Sequence, residues 1–142
     1  MKALTLTPEW AFAIAHLDKR VENRTWKPPA AMIGETIALH AGMKRPDWPA
    51  VELVARIAGW EIYGYGRDFK RGDHIVNRPT VLTRGAIVAT FTLAGVRAVY
   101  EEDATGWEVG PFCWDIADVR VLDRPVTCAG MLGLWTVPGG ML

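Results

Sequence analysis

Between Lys19 and Trp26 the chain reads KRVENRTW, which gathers Lys19, Glu22 and Arg24 just ahead of a tryptophan. Each of these side chains could do chemistry. A lysine ammonium is a point charge that can hold an oxyanion, or act as a base where it is desolvated. Arginine presents a planar fork suited to a phosphate or a carbonyl edge. Glutamate accepts from an exocyclic amine such as cytosine N4, and tryptophan can stack a base. If this stretch is a β-strand, alternation puts Arg20, Glu22, Arg24 and Trp26 on one face. Lys19, Val21, Asn23 and Thr25 take the other, and a bend near Lys19 would bring it over to Glu22. Taken alone, the pattern has two readings. It is one wall of a polar pocket, or a solvated strand face whose ion pairs contribute about 0–1 kcal/mol each.

Other reactive side chains add less. His40 ends a strand beside the presumed pocket, as a ligand contact or as a structural histidine. His16 and His74 have no partners at metal-ligand spacing, and no Cys/His or Asp/Glu spacing implies a metal site. No GxxxxGK[ST] and no GxGxxG after a strand occurs, so neither a nucleoside triphosphatase nor a Rossmann enzyme is expected, and no cofactor is implied. Of the seven tryptophans, Trp10, Trp48, Trp114 and Trp135 lie in periodic apolar runs and read as core. Trp60 and Trp107 adjoin loops, with Tyr63 and Tyr65, and are weaker ligand candidates. The basic pairs Lys44-Arg45 and the run Arg67 to Arg71 could touch a nucleic-acid backbone, but read first as solvated charge.

The elements that must carry these residues follow from the pattern. Ala3 to Thr7 is a short β-prone run. Thr7-Pro8-Glu9 starts a helix, with Thr as N-cap, Pro at the first helical position and an acid in the first turn. Trp10, Ala13, Ile14 and Leu17 form its buried stripe. Pro28-Pro29 ends the charged strand. Glu35 to Ala41 is a further alternating strand. Asp47-Trp48-Pro49 starts a second helix through about Ala58, with Trp48, Val51, Val54, Ala55 and Ala58 as its buried stripe. Gly59 to Thr83 reads as a long surface excursion. Arg84 to Tyr100 is a long β run with a bulge or bend at Gly95. An acidic loop spans Glu101 to Gly110, Phe112 to Leu122 is a strand, and Thr136-Val137 completes the last one.

The sum is an α+β fold. It is a small β-barrel of about five or six mostly antiparallel strands with two or three flanking helices. The 142 residues suit a single domain over 1–142, long enough to fold without disulfides. Sixteen basic residues balance sixteen acidic ones, which argues against coating of long duplex DNA. Cys113 and Cys128 read as two buried thiols in a reducing cytosol. No apolar run is long enough to span a membrane and no signal peptide is evident, so a cytoplasmic protein is expected. A monomer or weak homodimer is expected.

Read together, these segments resemble a known family. The order is an apolar strand, a PEWA-type helix start, Lys19-x-x-Glu22-x-Arg24-x-Trp26, then a strand ending in His40. It is similar to the ASCH domain family, which shares a PUA-like β-barrel and the pattern GxKxxExR. Lys19, Glu22 and Arg24 match its three charged positions, while Leu17 stands where the family usually has Gly. RGAIVATFTLAGV (Arg84 to Val96) resembles the family's central strand, and FCWDIADVRVLDRPVTCAGMLGLWTVP (Phe112 to Pro138) its closing segment. The resemblance implies a protein that binds RNA or a modified nucleoside in a pocket contacted by Lys19, Glu22, Arg24, Trp26 and His40. The resemblance also brings an alternative, an amidohydrolase acting on N4-acylated cytidine; from the charges themselves, Glu22 would activate water and Lys19 would steady the developing negative charge. The family's amidohydrolases carry a threonine nucleophile at the position of Glu22, and Thr25 points to the opposite strand face. A single-strand ribonuclease is a third reading, for which the sequence offers no convincing histidine pair.

Overall fold

The structure is a computed structural model that describes residues 1–63, 68–77, 82–99 and 105–142. In chain order the described elements are β1 (Lys2–Leu6), α1 (Pro8–His16), β2 (Val21–Arg24), a 3-10 turn (Ala30–Met32), β3 (Thr36–Ala41) and α2 (Trp48–Ala58). They continue with β4 (Glu61–Tyr63), β5 (Asp68–Arg71), β6 (His74–Asn77), β7 (Ala86–Ala98), β8 (Phe112–Thr127) and β9 (Leu134–Thr136). Six strands form one mixed sheet in the order β2-β8-β7-β3-β1-β9, and β4-β5-β6 form a second. Among the described strands only β1 and β3 pair in parallel. The fold is therefore the expected α+β barrel type with flanking helices.

The large sheet curls. Arg24 of the edge strand β2 donates from Nη2 to the carbonyl of Thr5 on β1, at 3.3 Å, next to the opposite edge. Curling buries one face as a concave core of Leu4, Leu6, Ile37, Leu39, Phe91, Leu93, Trp114 and Ile116, into which α1 lowers Ala11 and Ile14. The Trp114 indole is wholly buried and its N–H is satisfied by the Trp26 carbonyl at 3.2 Å. Bulges between Ile87 and Ala89, Thr90 and Thr92, and Leu93 and Gly95 bend β7 around this core. Gly95 thus marks a bulge, as expected.

Local chemistry explains both helices. Pro8 follows Thr7, whose extended backbone admits the helix, and Glu9 sits in the first turn. Thr7 makes no side-chain cap bond, and its hydroxyl oxygen is buried without a partner among the described residues. The buried stripe of α1 is also wider than expected, because Phe12 meets Phe69 of β5, with ring centroids 4.8 Å apart. Asp47 caps α2 by accepting from the Ala50 N–H at 3.3 Å, and Gly59 ends it in the left-handed conformation at φ 71°.

Three expectations need correction. Gly59 to Thr83 is not simply an excursion: its described part holds the second sheet, which packs Phe69 onto the side of α1 and α2. Trp48 is not core but 38% exposed, because α2 meets the core only from Val51 onward. Trp60 and Trp107, read as adjoining loops and as weaker ligand candidates, do lie outside helices and strands but are both buried against the packing between α1, α2 and the second sheet. Cys113 and Cys128 are thiols. Among the described residues no helix is long and apolar enough to cross a membrane.

Candidate functional site

The chain leaves α1 through Asp18, a non-glycine residue at φ 58°. Aspartate tolerates this left-handed backbone better than most side chains. The turn folds the Lys19 amide back onto the Ala13 carbonyl at 3.1 Å, and β2 begins only at Val21. Lys19 therefore lies off the strand, free of its alternation. The position that needs left-handed backbone is Asp18, so the Leu17 that stands in place of glycine costs nothing there (its φ is −117°).

The result is a compact polar cluster. Lys19 is 1% exposed, and its ammonium donates to the Val21 carbonyl and, at 3.0 Å, to Oε2 of Glu22. It also lies 5.6 Å from the ring centroid of Trp10. Glu22 is 8% exposed. Its other oxygen is 3.3 Å from Nε of Arg24, an ion pair out of line for a hydrogen bond. One carboxylate is thus shared by two cations. An ammonium has three N–H donors, and two of them find oxygen acceptors among the described residues.

This cluster opens onto a cleft of about 260 Å³ lined by Trp10, Lys19, Glu22, Asn23, Leu53, Ile57, Gly106, Trp107 and Val109. Its polar end is the Lys19–Glu22 pair. Leu53 and Ile57 come from α2, and Trp107 stands at 82° to Trp10 with centroids 6.4 Å apart. The wall at 105–110 is anchored from two strands. Asn23 of β2 bonds three of its backbone groups. Arg97 of β7 pairs with Glu108 at 3.3 Å and with Asp115 at 2.9 Å, and the Thr105 hydroxyl donates to Glu108. A mostly apolar concavity with a few convergent polar groups is the usual form of a small-molecule site.

The expected site residues divide. Lys19 and Glu22 line the cleft, and Arg24 stands behind Glu22. Trp26 is half-buried, packed edge-on against Trp114 at 4.7 Å, and does not reach the cleft. His40 is fully buried on the convex face of the sheet. Its Nε2 is 3.0 Å from the Cys128 carbonyl and so carries the proton, and the ring meets Trp135 edge-on. Neighbouring strand residues face opposite ways, so His40 points away from the core that Leu39 joins and does not line the cleft. Trp10 and Asn23 were missed as the cleft's own lining, whereas Trp107, a weaker candidate in the sequence, does line it. The signal of the two missed residues was thin: a tryptophan at the start of a helix and an amide amid charges.

Among the described residues no three His, Cys, Asp or Glu side chains converge as a metal-binding group. The pairs Lys44-Arg45 and Lys70-Arg71 lie outside the cleft lining; Lys70 rests over Tyr63 and Arg71 is 3.9 Å from Asp18. Tyr65 and Arg67 lie outside the described residues. No protein-family model matches this chain, and no curated protein matches it either.

Proposed function

We propose that this chain is an ASCH-type domain that binds a modified nucleoside, free or displayed in single-stranded RNA, in the cleft between α1, α2 and the 105–110 wall. The observation that carries the reading is the buried Lys19–Glu22 pair set at the polar end of an aromatic-walled cleft. A nucleobase needs an apolar aromatic surface and a polar edge contact, and the Trp10–Trp107 corner with the Lys19–Glu22 pair beside it supports that reading. The Lys19 ammonium suits a carbonyl oxygen of the base, and Glu22 suits an amine proton. A neutral chain with a cleft of this size favours one base over a long polyanion. Two thiols suit a cytoplasmic setting.

The same pair supports a second reading, hydrolysis of N4-acylated cytidine. Glu22 would take a proton from water, whose oxygen attacks the acyl carbon, while Lys19 holds the developing oxyanion. The proton then passes from Glu22 to the departing cytosine amine, releasing cytidine and the carboxylic acid. Both Glu22 oxygens keep lone pairs beyond those facing Lys19 and Arg24. The ribonuclease reading has less behind it, since neither His16, His40 nor His74 lines the cleft.

Calorimetric titration with N4-acetylcytidine, cytidine and uridine, followed by chromatography of each mixture, tests both. Binding without new products supports the binder. Release of cytidine that disappears in Lys19→Met supports the hydrolase. If none of the three nucleosides binds, the proposal fails.

A further inference from the structure

Asn23 follows Glu22 on β2, yet its side chain serves the opposite wall of the cleft. Its Nδ2 donates to the Trp107 carbonyl at 2.8 Å. Its Oδ1 accepts from the Val109 N–H at 2.8 Å and the Gly110 N–H at 3.0 Å, with the Cys113 thiol 3.6 Å away. One amide thus grips the backbone on both sides of Glu108, and this is the backbone that carries Trp107. These partners lie more than eighty residues away in sequence, so the grip is tertiary and not part of a turn.

The wall so held has a defined shape. Trp107 and Trp10 meet at 82°, giving an aromatic corner, with Leu53 and Ile57 also lining the slot. The Lys19 ammonium stands 5.6 Å from the Trp10 ring centroid, and Trp107, 7% exposed, lines the cleft beside it with its remaining surface. Planar unsaturated rings gain about 1–3 kcal/mol per base by stacking on an aromatic side chain. A puckered, saturated ring cannot lie flush against it.

We propose that Asn23 is a positioning residue that, by fixing the backbone of Trp107, makes the cleft select flat unsaturated bases over saturated ones. The inference rests on the nucleoside reading above and adds the ring chemistry that the site discriminates. Lys19 and Glu22 take the polar edge of either ring, so they supply affinity without this selectivity.

Uridine and 5,6-dihydrouridine form the test pair, because they share the same carbonyl and N–H groups and differ in ring saturation. Calorimetry on the wild-type chain is expected to favour uridine about tenfold, within the stacking range. Asn23→Ala should bring the two affinities within about twofold, whereas Lys19→Met should weaken both and keep the ratio. Asn23→Asp should keep part of the preference, since its carboxylate still accepts from the Val109 and Gly110 amides. Trp107→Leu, which leaves those backbone bonds in place, should lose the preference and serves if Asn23→Ala does not fold. A wild-type chain that binds both nucleosides equally overturns the inference and leaves the nucleoside reading standing. So does Asn23→Ala with a lowered Tm but an unchanged ratio. A wild-type chain that binds neither overturns the inference, and it overturns the nucleoside reading as well if cytidine and N4-acetylcytidine also fail to bind.

Discussion

Arg24 of β2 reaches the carbonyl of Thr5 on β1 across the opening of the curled sheet. Carbonyls alternate sides along a strand, and that of Leu6 accepts from Gly42 on the β3 side. The Thr5 carbonyl therefore faces the other way, toward β9. But β9 pairs only with Lys2, Ala3 and Leu4, so this carbonyl lies just past its end. The Arg24 guanidinium fills the gap at 3.3 Å while its Nε stays beside Glu22. One side chain thus ties the sheet edge to the polar cluster of the cleft.

Arg24→Met should lower stability by about 1.5–3 kcal/mol, the range for a hydrogen bond to a charged group. Arg24→Lys should recover little, since a single ammonium cannot face Glu22 and Thr5 together. Urea unfolding at neutral pH measures both, and an unchanged midpoint for Arg24→Met would contradict that bridging role.

The two partners of the buried pair should not be equivalent. Glu22→Gln leaves the Lys19 ammonium buried without a countercharge and should cost about 3–5 kcal/mol. Lys19→Met should cost less, because Glu22 keeps Arg24 at 3.3 Å. The double variant should be more stable than Glu22→Gln alone. Denaturation of the three variants checks the order.

Gly130 packs against His40 without room for a methyl group. A Cβ there would sit 2.5 Å from Cε1 and Nδ1 of His40 and 2.7 Å from the Thr5 hydroxyl oxygen. Gly130→Ala should destabilise by about 1–3 kcal/mol through overpacking. Adding His40→Ala should cost less in that background than in the wild type, which a double-mutant cycle by thermal unfolding reads directly.

His16, stacked on Phe12 with centroids 5.2 Å apart, has its pKa pushed below the ordinary 6.5 by burial. Between that lowered value and 6.5 the unfolded chain binds a proton that the folded chain does not. The contribution is therefore fully present above pH 6.5 and is lost as the pH falls toward the folded value. Urea midpoints from about pH 7.5 to about pH 5 should drop less for His16→Gln than for the wild type. Parallel curves would refute it.

Much of the frame was legible because local chemistry agreed with the tertiary result. Pro8 and Glu9 mark the start of α1, Asp47 and Gly59 bracket α2, and alternation runs through β3 and β7. The bend that joins Lys19 to Glu22 was also legible, as a break in strand alternation. Asn23 was not. Alternation assigns it to the face away from Glu22, but on an edge strand both directions can border one cleft. Its function depends on Trp107, Val109 and Gly110, and nothing within a few residues of Asn23 announces them. Trp26 and His40 misled for a related reason. Proximity in sequence to the charged trio, or an end-of-strand position, does not say which side of a curled sheet a ring will occupy.

The anchoring of the 105–110 wall by Asn23 also bears on how the protein comes into being. Lys19 and Glu22 are translated some eighty residues before the wall that completes their cleft. Such long loops close slowly, and their entropy is lost before the contact repays it. A nascent chain halted before Gly106 would carry the polar pair without the wall that faces it. Ligand binding during synthesis would therefore report the moment at which the two ends of the fold have met.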